Sequence, residues 1–92
     1  MRPKKKRWVK CKPGEKCFSP QFKPLDKLDG VVLGLDEFEA IRLADVEGLK
    51  QEDAAIRMRV SRSTFSRIIS SAHKKVGDAL VNVKAIRIEG KQ

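Results

Sequence analysis

Residues 51–83 read QEDAAIRMRVSRSTFSRIISSAHKKVGDALVNV, and the apolar spacing in this stretch decides the fold. Phe65, Ile68, Ile69, Ala72, Val76, Ala79, Leu80 and Val83 recur at i, i+3, i+4 and i+7 without a break, the pattern of a helix with one buried stripe. With each residue turned by about 100°, these positions share one arc. Arg62, Ser63, Ser66, Arg67, Ser70 and Lys74 share the opposing one. Ser61 is the natural N-cap, because its hydroxyl can accept a bond from an amide that the first turn leaves unpaired. The preceding QEDAAIRMR predicts a shorter helix, with Ala54, Ala55 and Met58 inward and Glu52, Asp53 and Arg57 in water. Lys50 stands at its N-cap, where Ser or Thr is the usual choice.

Two helices joined by Arg59-Val60-Ser61, the first short and the second amphipathic, predict a helix-turn-helix. Ala55 lets the two axes approach and Val60 fills the angle between them. Arg59 occupies a turn position that needs a positive φ and usually holds glycine, which costs a side-chain-bearing residue roughly 1 kcal/mol. The end of such a second helix fits the DNA major groove, which displays a distinct donor and acceptor pattern for each base pair. Arg62 and Arg67 are then the bidentate guanine readers, and Ser63, Ser66 and Ser70 make shorter contacts. A merely solvated helix face would carry Glu–Lys pairs at i, i+4 in place of these serines.

The run LKQEDAAIRMRVSRSTFSRIISSA, residues 49–72, resembles the DNA-binding helix-turn-helix of region four of the housekeeping bacterial sigma factors. The similarity is strongest in VSR followed by an apolar residue and RI. From its RP start through FSPQFKP, LDEFEAIRLAD and AAIRM to IRIEG, the whole chain resembles an uncharacterised prokaryotic family of proteins predicted to bind DNA. By similarity to the sigma module, Arg62, Ser63, Ser66 and Arg67 face bases, and Gln51 and Thr64 contact phosphates. Arg67 stands where sigma factors often have glutamine, so their promoter element is not implied. No other sigma region is present, so recruitment of core polymerase is not implied either.

Upstream, LDEFEAIRLADVEGL predicts a first helix near 37–46. Asp36 is its expected cap, with Glu39 reaching back in the capping-box manner. Phe38, Ile41 and Ala44 recur on one face, and Gly48 can take the left-handed conformation that ends such a helix, with Leu49 packing back. Pro13, Gly14, Pro20, Pro24, Gly30 and Gly34 break all periodicity before it, so residues 12–34 read as an ordered but irregular connector. Near the other end, KAIRIE alternates Ile86 and Ile88 against Arg87 and Glu89, a short strand signal for which Arg7 to Cys11 are a candidate partner. The expected fold is thus mainly α. A three-helix domain covers 35–83, after a basic arm and connector over 1–34 and before a strand and tail over 84–92.

The formal charge of the 92-residue chain is +9, and its distribution says more than its total. Arg2, Lys4, Lys5, Lys6, Arg7, Lys10, Lys12 and Lys16 meet only Glu15, whereas Asp26, Asp29, Asp36, Glu37, Glu39, Asp45 and Glu47 meet only Lys27 and Arg42. A basic arm and a basic reading helix around an acidic first helix suit a polyanionic partner. Arg2, Lys4, Lys5, Lys6, Arg7, Arg59 and Lys74 join Gln51 and Thr64 as candidate phosphate contacts. A small core and an end strand in need of pairing also favour a homodimer.

No apolar run reaches the roughly 20 residues of a membrane span or follows the basic start as a signal peptide would, so a soluble cytoplasmic protein is expected. Two cysteines are too few for a disulfide framework, and thiols are the expectation. Cys11 and Cys17 are candidate metal ligands that lack two further partners, because the sole histidine, His73, falls on the third helix's outer face. No nucleophile–base pair and no glycine-rich phosphate loop is present. Neither an enzyme, a cofactor nor a small-molecule substrate is expected. Two other functions fit the same charges: a protein-interaction adaptor using the acidic first helix, and a binder of structured RNA.

Overall fold

The computed structural model describes residues 17–21 and 29–89 of the chain. Strands β1 (Cys17–Phe18) and β2 (Gly30–Leu33) precede three helices, and strand β3 (Ala85–Ile88) follows them. The helices are α1 (Leu35–Ile41), prolonged by the π-helical turn Arg42–Val46, then α2 (Gln51–Met58) and α3 (Arg62–Asn82). The architecture is mainly helical with one small sheet.

That sheet has the order β1-β3-β2. β3 is central, parallel to β2 from Gly30↔Ala85 to Leu33↔Ile88 and antiparallel to β1 through Cys17↔Arg87 and Phe18↔Ile86. Two backbone bonds continue the parallel ladder, Ala85 N–H to Asp29 O and Glu89 N–H to Leu33 O, both 2.9 Å. The expected irregular connector therefore contains two strands, and they provide the pairing sought for the C-terminal strand. Residues 7–11, the anticipated partner, lie outside the described residues. In β2 the β-branched Val31 and Val32 suit extended backbone, but the four residues Gly30–Leu33 show neither alternation nor length. Burial in β3 likewise falls on Ala85 and Ile88 rather than on alternate residues.

The first helix begins earlier than its charged residues suggest. Gly34 is the N-cap, and the Glu37 carboxylate accepts the Gly34 N–H at 2.8 Å, half of a capping box. Asp36, the expected cap, instead accepts the Glu37 N–H at 2.8 Å, and Glu39 pairs with Arg42 at 2.7 Å. In the π-helical turn the Glu47 N–H reaches back to Arg42 O, a five-residue step. Gly48 then adopts φ 77, and Leu49 folds back to donate its N–H to Leu43 O at 3.0 Å, as a left-handed helix end requires.

Two clusters form the core. Ala40, Leu43, Ala54, Ala55, Phe65 and Ile69 pack where the three helices meet, with Leu49, Met58 and Val60 at the margin. Leu33, Ala72 and Ile88 pack α3 onto the sheet, with Phe38, Ile41 and Val76 around them. Glu37 sits between the clusters. Its carboxylate accepts bonds from Lys75 Nζ at 2.8 Å and from the Ser71 hydroxyl, while Lys75 also donates to Val32 O at 3.0 Å. One acid thereby joins the start of α1, the end of β2 and the middle of α3.

The apolar stripe of α3 does not stay buried to its end. Phe65, Ile69, Ala72 and Ala79 are enclosed, but Leu80 is 73% exposed. Val83 is 46% exposed and terminates the helix in the left-handed conformation, φ 55. Among the described residues, none encloses Leu80 or Val83 at the end of the helix.

Candidate nucleic-acid interface

The turn between α2 and α3 is built as the sequence requires. Arg59 adopts φ 61 and ψ 42, fully left-handed, despite bearing a side chain. Its N–H and that of Val60 close the end of α2 on Ile56 O and Ala55 O, each at 3.0 Å. Ala55, 2% exposed, lets α2 lie close to α3, and Val60 packs against the same cluster. Ser61 caps α3: its Oγ accepts the Thr64 N–H at 3.1 Å and donates to Thr64 Oγ1 at 2.9 Å. Lys50 caps α2 without a side-chain bond, as its chemistry dictates.

Burying Phe65, Ile69 and Ala72 turns the opposite face of α3 outward. Arg62, Ser63, Arg67 and Ser70 are exposed and Ser66 is half-buried. Arg62 lies one turn before Ser66, and Arg67 lies between Ser63 and Ser70, so both guanidinium groups have hydroxyls beside them. Neither arginine forms an ion pair among the described residues. Gln51, Arg59 and Lys74 are exposed at the start of α2, at the turn and along α3. Thr64 is half-buried, and its hydroxyl is engaged by the cap. Arg2, Lys4, Lys5, Lys6 and Arg7 lie outside the described residues.

The acids of the first helix are occupied within the fold. Arg42 is held by Glu39 and by Glu47 at 2.9 Å. The Arg42 hydrogen bond holds the Glu39 carboxyl below its ordinary pKa, and Glu39 raises that of Arg42 in return. Burial pushes Glu37 upward, but hydrogen bonds from Lys75, Ser71 and Gly34 together outweigh it and leave the pKa lowered. Asp45 lies 2.7 Å from His73 Nε2, at the edge of the outer face of α3. Asp78 is lowered by its bonds to Lys84 and Asn82, which tie the end of α3 to the start of β3.

Three of these features escape a reading of the sequence. Glu37 with Ser71 and Lys75, and Asp45 with His73, join residues about 30 or more positions apart, and their only local signal is helical phase. The third is Cys17, which is disulfide-bonded and not the expected thiol. Counting cysteines argued against a framework of several bridges, and one bridge escapes that argument. Its sulfur is thereby unsuited to hold a metal, and Cys11 lies outside the described residues. Among the described residues no group of three His, Cys, Asp or Glu side chains converges as a metal site, and no helix is long and apolar enough to cross a membrane.

The sequence is shared well beyond this chain. A UPF0251 protein of Thermoanaerobacter sp. strain X514 is 57% identical over 89 residues, spanning 97% of this chain and 79% of the relative. One from Prosthecochloris aestuarii is 57% identical over 89 residues, 97% of this chain but 57% of the relative. One from Moorella thermoacetica is 60% identical over 84 residues, covering 91% and 56%. No solved structure matches. The family described as "Protein of unknown function DUF134" matches residues 1–92 from end to end. The chain therefore belongs to that family.

Proposed function

We propose that the chain is a sequence-specific double-stranded DNA-binding protein, a cytoplasmic transcription regulator without catalytic activity or cofactor. In this reading α2, the Arg59–Ser61 turn and α3 act as a helix-turn-helix similar to that of sigma region four. The observation that carries it is the outward face of α3, where Arg62 and Arg67 stand exposed among Ser63, Ser66 and Ser70 with no carboxylate paired to either among the described residues. Arginine forks read guanine edges in the major groove, and the small hydroxyls leave room for close approach. Gln51, Arg59 and Lys74 flank that face and suit phosphate contacts that fix register. The basic arm adds sequence-independent, salt-sensitive attraction.

The adaptor reading has less support, because Glu37, Glu39, Asp45 and Glu47 already have partners within the fold. Structured RNA is the weaker candidate because the A-form major groove is too narrow to admit a helix. Fluorescence anisotropy on a set of genomic fragments, with duplex DNA and duplex RNA as competitors, tests the proposal. One fragment is bound far more tightly than bulk DNA, and RNA competes poorly. Equal affinity for every fragment, or preferential displacement by RNA, removes the proposal.

A further inference from the structure

The two exposed arginines near the start of α3 stand on different flanks of the helix. With Arg62 as origin and about 100° per residue, Ser66, Ser70 and Ser63 fall at about 40°, 80° and 100°, and Arg67 at about 140°. A strip of small hydroxyl side chains therefore runs between two long cations. All five residues lie on the open side of α3: Arg62, Ser63, Arg67 and Ser70 are exposed and Ser66 is half-buried. Lys74, four residues beyond Ser70 and also exposed, ends the strip with a third long cation. The acids that reach α3 from α1 and its π-helical turn meet other residues, Glu37 binding Ser71 and Lys75, and Asp45 binding His73. Neither Arg62 nor Arg67 is drawn to a carboxylate among the described residues.

We infer, resting on the DNA-binding reading, that Arg62 and Arg67 take guanines on opposite strands, so that the preferred site holds two G·C pairs of opposite orientation. Width decides how α3 sits. A helix with its side chains is about 10 to 12 Å across, close to the ~12 Å of the major groove, so long side chains fit at its flanks and not beneath it. The serine strip spans seven residues from Ser63 to Ser70, about 10 Å, which suits a helix lying along the groove. An end-on approach would use the first turn alone. With the serines toward the groove floor, each flank faces one wall, and each wall is the backbone of one strand. A guanine offers O6 and N7 to a bidentate arginine, and its N7 lies on its own strand's side of the floor. The five residues from Arg62 to Arg67 advance about 7.5 Å, so the two pairs lie roughly two or three steps apart at 3.4 Å each. Serine hydroxyls both donate and accept, and thus tolerate different pairs in between.

Selection of bound duplexes from a random pool by the whole chain tests the strand assignment. The expected consensus holds, on each strand, one guanine and one cytosine roughly two or three steps apart, and inverting either pair weakens binding roughly 5- to 150-fold. Two guanines on one strand, or an enriched sequence without fixed G·C pairs, overturns the inference while the DNA-binding reading stands. A pool with no enriched sequence retires both. Glutamine variants then assign each pair. Glutamine binds adenine bidentately, so Arg62→Gln is expected to exchange one guanine for adenine, and Arg67→Gln the guanine on the other strand, each leaving the second preference intact. Both positions are exposed, and circular dichroism checks that the fold is kept. A change at the same pair in both variants, or at no pair in either, overturns the inference.

Discussion

The cluster beneath the α2–α3 turn and the cluster beneath the sheet differ in how far along the chain their residues are drawn. The first takes all its buried members from residues 40–69, whereas the second joins Leu33, Ala72 and Ile88. Short-range contacts close small loops, and the entropy of closure grows with the length enclosed. The face proposed to read DNA thus rests on the local cluster, and the sheet holds the far end of α3. Glu37, with Lys75 and Ser71, links the two.

Substitutions can break that contrast, beginning with the largest effect. Phe65 is completely enclosed, and Phe65→Ala is expected to destabilise the protein by about 3 to 5 kcal/mol. Leu33, 4% exposed in an edge strand, is expected to lose about 2 kcal/mol as Leu33→Ala, near the lower end for buried leucine. Urea denaturation measures both, and equal losses would erase the distinction between the clusters.

The link between them responds to acid. Because the folded Glu37 pKa is depressed, its contribution is complete above the ordinary glutamate value and disappears as pH falls through the folded value. Urea midpoints measured down through the acid range should therefore decline, and Glu37→Gln should flatten the decline more than Glu39→Gln does. Glu39 is 40% exposed in a solvent-screened pair. An unaltered acid limb in Glu37→Gln would remove Glu37 from its linking role.

Two smaller changes sharpen the reading of the turn. Ser61→Ala removes the cap of α3 and is expected to destabilise by about 1 kcal/mol. Arg59→Gly relieves a left-handed side-chain-bearing residue and is expected to offset much of the roughly 1 kcal/mol of strain at that position, while weakening DNA binding if Arg59 contacts a phosphate. Thermal denaturation and binding titrations separate these effects, and a destabilised Arg59→Gly would contradict the strain.

The same contrast explains what the sequence reveals. α2, its turn and α3 are legible because Ala55, Arg59, Ser61 and Phe65 act on their own neighbours, through helical phase, a left-handed turn and a cap. The first helix is legible in extent, but its cap is shifted from Asp36 to Gly34 because Glu37 serves the long-range network and the cap at once. β2 is hidden because Val31 and Val32 sit between glycines, and only parallel pairing with β3, some 55 residues away, makes them a strand. The exposure of Leu80 and Val83 is also hidden, since periodicity reports which face a residue occupies and not whether anything covers it. For the candidate interface, local pattern places Arg62, Ser63, Arg67 and Ser70 outward, and the network holding α3 against α1 is invisible without tertiary contacts.

The central claim is that the N-terminal half of α3 reads bases. Its most direct test is the affinity of Arg67→Ala for every single-base-pair variant of the best selected duplex. The account expects a loss of about 1 to 3 kcal/mol on the preferred duplex and a relaxed preference at one position. Equal loss on all variants, with every preference intact, would contradict base reading by Arg67 and reassign it to the phosphate backbone.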